Sequence, residues 1–305
     1  MYITKVTNIG DPQILLYEDK YYQYATYNDG VTKGIYCWVS DDLENWSDKI
    51  LCLDASKDEH WGYTSFWAPE VIYHNGKFVM SYSAKSKAHD SFRIEVAVSD
   101  SPIGPFVDVH GGPMFDFGYA AIDGSFLVCE EGNFLYYSRD CCENIIDGVK
   151  TSQIYCIRMN ESLTEVVGEP KLVCTPHLDF ELKSMELKKK VPHIWNEGPC
   201  VYKKGDTYIM NFSTNYYASL DYAIGVATAK HPLGPWVKSA NNPVLSRNEE
   251  FFGAGHNAFF FNKDNELMTS FHIQTNPSAP SGDRTTVIGK VRFTEENGEI
   301  KEIIE

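Results

Sequence analysis

The chain has 305 residues, 43% of them hydrophobic and 14% aromatic, which excludes a disordered chain and allows a large buried core. A net charge of −15 without any basic stripe leaves nothing to neutralise phosphates, so nucleic acid is excluded as a partner. No apolar run approaches the roughly 20 residues that span a bilayer, so no membrane is expected either.

In chain order, one phrase returns five times: a run of β-formers, a short polar turn, then a second strand. The copies are DPQILLYEDKYYQYAT from Asp11, APEVIYHNGKFVMSYSA from Ala68, DGSFLVCEEGNFLYYSR from Asp123, EGPCVYKKGDTYIMNFST from Glu197 and HNAFFFNKDNELMTSFH from His256. With turn centres at Asp19, Gly76, Gly132, Gly205 and Asp264, the leading residue stands eight residues ahead in four copies and nine in the third. Each copy continues into a further alternating run, namely GIYCWVS, RIEVAVS, SQIYCIRM, YAIGVAT and TVIGKVRF. Short strands with polar turns at even spacing predict an all-β chain, a five-bladed β-propeller, with residues 1–305 as one catalytic domain.

Closure of such a ring is assigned to YITKV at the N-terminus, pairing beside TTVIGKVRF so that no strand edge is left open. The copies start 55 to 59 residues apart except between the third and fourth, which are 74 apart. The excess, TPHLDFELKSMELKKKVPHIW, is an insertion ending at Trp195, next to Glu197, with one helical turn expected around DFELKSMEL. The run Lys188 to Lys190 within it reads as a solvated loop. Eight cysteines without CxxC spacing read as free thiols, and the first copy begins too early for a preceding signal segment. A cytoplasmic location is therefore expected, or a secreted one if a signal was removed.

Asp11, Asp123, Glu197 and His256 hold equivalent places in four copies, so they should ring one mouth of the central channel. Carboxylates brought this close raise one another's pKa, as acid/base chemistry requires. An inverting glycosidase places an acid and a base about 6.5–9.5 Å apart, which opposed blades suit better than adjacent ones; first and fourth make a natural couple. Glu70 sits six residues ahead of its turn, out of register, and reads as structural; Ala68 holds the equivalent place. Phe66, Trp67 and Trp195 are candidate faces for stacking on a sugar ring.

Five motifs in order, Asp11-Pro12, Phe66-Trp67-Ala68-Pro69-Glu70, Ile122-Asp123-Gly124, Trp195-Asn196-Glu197-Gly198-Pro199 and Gly253-Ala254-Gly255-His256-Asn257, resemble glycoside hydrolase family 43 over nearly the whole chain. The resemblance implies a five-bladed propeller that inverts arabinose- or xylose-containing glycosides. It makes Asp11 the general base, Glu197 the general acid and Asp123 the residue that raises and orients that acid. It further implies that His256 binds substrate or holds a hydrated calcium ion on the axis, with no cofactor required, and that Arg284 faces the site.

The expected activity is an exo-acting α-L-arabinofuranosidase or β-xylosidase on small oligosaccharides or plant-polysaccharide fragments; an endo-1,5-α-L-arabinanase is the alternative. A non-enzymatic propeller scaffold is disfavoured, because no Trp-Asp dipeptide occurs and three equivalent carboxylates have no purpose there. A fructosidase would want Arg-Asp-Pro in a middle blade, whereas Arg139-Asp140 is followed by Cys141.

Overall fold

The computed structural model describes residues 1–27, 29–185, 191–296 and 299–305, so the lysine run 188–190 lies outside the described residues. The chain is all-β: a single 3₁₀ turn, Asp179–Leu182, is the only helical segment among the described residues, at the place expected within the insertion. No helix there is long and apolar enough to cross a membrane.

Each copy opens with an antiparallel hairpin. The first pairs Ile9–Tyr17 with Lys20–Tyr27, the second Gly62–His74 with Lys77–Ser86, the third Ala121–Cys129 with Gly132–Arg139, the fourth Asn196–Lys204 with Thr207–Thr214, and the fifth Gly255–Phe261 with Leu267–Gln274. Third strands follow at Gly34–Ser40, Ser91–Ser99, Gln153–Met159, Ala223–Ala229 and Arg284–Glu296. These match the alternating runs read from the sequence. The third copy departs in one detail: its turn is Glu130-Glu131, with Gly132 already opening the second strand rather than centring the turn.

The second strands are buried almost continuously instead of alternating. Apolar clusters explain this, since they lie between successive sheets and cover both faces. Tyr24 and Cys37 meet Tyr82 and Phe78, Val79 and Val96 meet Leu135 and Tyr137, Phe134 and Tyr136 meet Phe212 and Met210, Ile224 meets Phe271 and Val287, and Phe260 and Ile288 return to Ile14 and Tyr21. Each such side chain contributes about 1.5–3 kcal/mol on burial.

All five first strands break register at the same place. Bulges take up Asp11-Pro12, Ala68-Pro69, Asp123-Gly124, Gly198-Pro199 and His256-Asn257. The first residue of each pair is left-handed, with φ of 54°, 45°, 60°, 54° and 50°. Its amide donates to a side chain on the second strand of the preceding copy: Ala68 to Thr26 at 2.8 Å, Asp123 to Ser83 at 3.0 Å, Gly198 to Ser138 at 3.1 Å, His256 to Ser213 at 2.6 Å, and Asp11 to His272 Nδ1 at 3.1 Å. The handover runs copy to copy and the fifth returns it to the first. In the fourth copy the bulge residue is Gly198, so the expected equivalence of Glu197 with Asp11 is off by one. Glu197 aligns with Gly10, Trp67, Ile122 and Gly255, the position ahead of the bulge.

The N-terminal pairing is as expected, with Tyr2 and Ile3 lying against Ile288 and Val287. Beside the same long strand the C-terminal strand Glu299–Ile304 also pairs, an element not anticipated. Ile9 opposite Arg284 joins the fifth sheet to the first.

Candidate active site

A bulge turns one residue out of a strand's alternation, and here the turned residues converge. Asp11, Asp123, Glu197 and His256 all line one cavity of about 340 Å³, together with Trp67, Trp195 and Arg284. A wider hollow of about 730 Å³ beside Tyr27, Trp38 and Trp46 has only exposed carboxylates, Glu44 and Asp48. Acid/base chemistry therefore belongs to the smaller cavity, where Asp123 and Glu197 are buried and the Asp11 side chain is 12% exposed.

Asp11 is clamped on both oxygens. Oδ1 meets Arg284 at 3.1 Å and His256 Nδ1 at 3.2 Å, and Oδ2 accepts from the Thr26 hydroxyl at 2.6 Å. Burial pushes this carboxyl up, but His256 and Arg284 together with the Thr26 bond outweigh it and hold Asp11 well below the usual carboxylate range. Arg284 reaches Asp11 by passing over Gly10, where a Cβ would stand 1.9 Å from the guanidinium. Its other face covers the Tyr217 ring at 4.9 Å.

Glu197 is in the opposite situation. Its Oε1 accepts from the Tyr222 hydroxyl at 2.9 Å, and the Tyr222 ring stacks on His272 at 5.5 Å. Burial, then the charges of Asp123 and Asp140, push the Glu197 carboxyl well above the usual carboxylate range, the direction a proton donor needs. Asp123 accepts from Ser138 at 2.9 Å and from the Gly198 amide at 3.1 Å, and burial raises it to about 6. Burial and Arg284 lower His272 well below the ordinary histidine value, which keeps it neutral and able to accept the Asp11 amide.

The insertion seats Glu197 from behind. Buried Glu181 accepts from the His177 and Leu178 amides, each at 2.7 Å, from Asn196 at 3.0 Å and from Lys238. Lys238 also donates to Asn196 Oδ1 at 2.9 Å. Asn196, immediately before Glu197, is thus fixed from two sides by a buried ion pair.

Phe66 is not brought to the cavity. It is buried in the core against His60 and Tyr82, because the strand turns it to the face opposite Trp67. Phe92 takes the place expected of it, stacked on Trp67 at 4.7 Å and lining the cavity. Glu70, read as structural, accepts from the Phe126 amide at 2.7 Å and so ties the second copy to the third.

Sequence reasoning missed Thr26, Ser138, Tyr222 and His272. A signal for three of them existed: Thr26, Ser83, Ser138 and Ser213 each stand fifteen residues beyond their bulge residue and His272 sixteen.

Behind the main cavity lies a space of about 20 Å³ that shares Asp11, Asp123 and His256 and is closed by Gln13, Glu70 and Asn257. It has room for one water-sized occupant. Asn257 Oδ1 is its one buried unpaired oxygen among the described residues, and no group of three or more metal-ligating side chains converges there. Calcium takes six to eight oxygens, so these side chains do not compose a direct cage for it. His256, expected either as a substrate contact or as a water-mediated metal ligand, stands with Nδ1 3.2 Å from Asp11 Oδ1.

An all-β frame carrying two carboxyl groups pushed in opposite directions over one cavity defines a two-carboxylate acid/base site of the hydrolase kind. The chain belongs to the glycosyl hydrolases family 43, whose profile matches residues 6–298. Among solved structures, a thermostable family-43 glycoside hydrolase is 41% identical, with 98% of this chain and 94% of that one covered and a TM-score of 0.89. An endo-1,4-beta-xylanase from Bacteroides thetaiotaomicron is 30% identical over 98% of this chain and 94% of that one, with a TM-score of 0.82. An arabinoxylan arabinofuranohydrolase of Paenibacillus polymyxa is 27% identical over 96% of this chain, which spans 49% of that protein. The chain thus covers about half the length of that relative.

Proposed function

We propose that this chain is an inverting, exo-acting α-L-arabinofuranosidase or β-xylosidase, built as a single five-bladed β-propeller over residues 1–305. The cyclic handover of bulge amides, with apolar layers between successive sheets, supports the propeller. One observation carries the reaction: on the same cavity Arg284 and His256 stand against Asp11 and hold its carboxyl low, while burial and neighbouring carboxylates push that of Glu197 high.

Asp11 takes a proton from water, whose oxygen attacks the anomeric carbon from the face opposite the leaving group. The C–O bond breaks as Glu197 gives its proton to the departing oxygen. Asp123 keeps that proton on Glu197 until the bond breaks, and Arg284 and His256 keep Asp11 anionic. Trp67, Trp195 and Phe92 supply the apolar faces for the sugar. The steps use side chains and water. The names of relatives that act on arabinoxylan, or are called xylosidase/arabinosidase, support the sugar class. Eight unpaired cysteines support a reducing, cytoplasmic location.

The test is turnover of nitrophenyl arabinofuranoside and xylopyranoside, with the product anomer followed by proton NMR. Inverted product is expected, along with loss of most turnover in Asp11→Asn and Glu197→Gln. Retained configuration, or near wild-type rates in either variant on an unactivated substrate, overturns the scheme. Likeness to an endo-arabinase of Bacteroides thetaiotaomicron, 25% identical over 98% of this chain with a TM-score of 0.79, favours an endo-acting arabinanase as the second reading. Monomer alone released from linear arabinan supports the first reading, and mixed oligomers support the second.

A further inference from the structure

Two excursions from the repeat meet over one side of the cavity. The first follows the second strand of the third copy and contains Ile145–Ile146 and Val149–Thr151; the second is the end of the insertion, His193–Ile194. They form a three-stranded sheet of their own, with Lys150 opposite His193 in a parallel pair. The Ser152 amide donates to Ile194 O at 2.9 Å, and the Asn196 amide returns to Ser152 O at 3.1 Å. This small sheet is therefore joined to the strand that carries Glu197 through a single residue, Trp195. Its cavity-facing residues include Lys150 and His193, with Asp140 at its base.

We propose that this sheet is the binding site for the leaving group, and that Lys150 and Asp140 select a glycosyl residue there. The inference rests on the glycosidase reading above. The general acid must reach the departing oxygen, so groups built onto the acid's own strand face the departing half of the substrate. The sugar that remains lies toward Asp11 and the Trp67–Phe92 stack, which come from the first and second copies.

The chemistry of the wall suits a sugar hydroxyl pair. Lys150 stands on the cavity wall with no ion pair among the described residues, and an ammonium there donates to hydroxyl oxygens. Asp140 spends Oδ1 on the Cys142 amide at 2.8 Å and offers its carboxylate edge as an acceptor for a hydroxyl proton. His193 stacks on Trp195 at 5.6 Å and 21°, stiffening the wall. An aryl leaving group has no hydroxyls for this pair to grip, whereas a second pentose has them.

Lys150→Ala and Lys150→Arg separate these cases, assayed on β-1,4-xylobiose and 1,5-linked arabinobiose and on the matching nitrophenyl glycosides. The alanine variant should lose about tenfold or more in kcat/KM on the disaccharide beyond any loss on its aryl counterpart, the worth of one charge-assisted hydrogen bond. That loss should fall mainly on KM, and arginine should restore part of it. The basic limb of the disaccharide pH profile should stay in place. Equal effects on both substrates, no effect on either, or a displaced basic limb, which would mean Lys150 acts through Glu197, each overturn the subsite. A melting temperature matching wild type confirms that the alanine variant is folded; Lys150→Gln replaces it otherwise. Wild type that cleaves none of these substrates sinks the glycosidase reading and the subsite with it, whereas active wild type with indifferent variants sinks the subsite alone.

Discussion

Two carboxyl groups with nearly the same intrinsic affinity for a proton are separated here by their neighbours alone. Asp11 receives an arginine, a histidine and a hydroxyl; Glu197 receives two further carboxylates, against which the bond from the Tyr222 phenol pulls the other way. Burial acts on both in the same direction, so neighbouring charge decides. Asp123→Asn tests this at the level of a single charge. Removing the negative neighbour makes ionisation of Glu197 easier and lowers its pKa. The basic limb of kcat/KM, which marks loss of the acid's proton, should then move to lower pH, with the fold retained. A limb that stays put or moves upward would remove Asp123 from this role. The residues that set these affinities were only partly legible. Asp11, Asp123, Glu197 and His256 sit in motifs and Arg284 is reached only through the family resemblance, but Tyr222, which lines the cavity, and His272, which stacks on it, are placed by strand pairing and stacking, which short-range patterns do not display.

At the scale of the element, the repeated hairpin was readable because alternation and turn residues agree with the observed strands. Its bulge was not. Counting from turn centres put Glu197 level with Asp11, whereas Gly198 takes the left-handed position. The slip arose because Gly205 is the first residue of its two-residue turn whereas Asp19 and Gly76 are the second of theirs, and because glycine conceals a position held elsewhere by Asp, Ala or His. Gly198→Ala probes this joint. Ala68 adopts the same conformation in the second copy, so backbone strain alone is tolerable, at about 1 kcal/mol. A methyl group at Gly198, however, would meet the His256 ring at 3.0 Å. The expected result is a modestly lower melting temperature with a disproportionate fall in kcat/KM, as His256 is displaced from Asp11. Activity that falls only in step with stability would show that the close approach of Gly198 and His256 has no bearing on catalysis.

For the whole molecule, the predicted closing partner was right in place and incomplete in extent. The N-terminal strand covers part of Arg284–Glu296, and the C-terminal strand Glu299–Ile304 pairs with the rest, so both chain ends cap one edge. Deleting residues 2–6 removes Tyr2, Ile3 and the buried Val6 and exposes that edge. A fall in melting temperature of several degrees is expected by calorimetry, and an unchanged value would show that the C-terminal strand suffices. The fifth handover differs in kind from the other four: histidine replaces serine or threonine, and the amide it receives belongs to Asp11. The clasp between last copy and first is therefore fastened to the base's own backbone amide, beside the Arg284 and His256 that keep it charged. Loosening that seam by heat, by truncation or by mutation switches the molecule off while most of its hydrogen-bonded sheet is still intact, so inactivation should run ahead of unfolding.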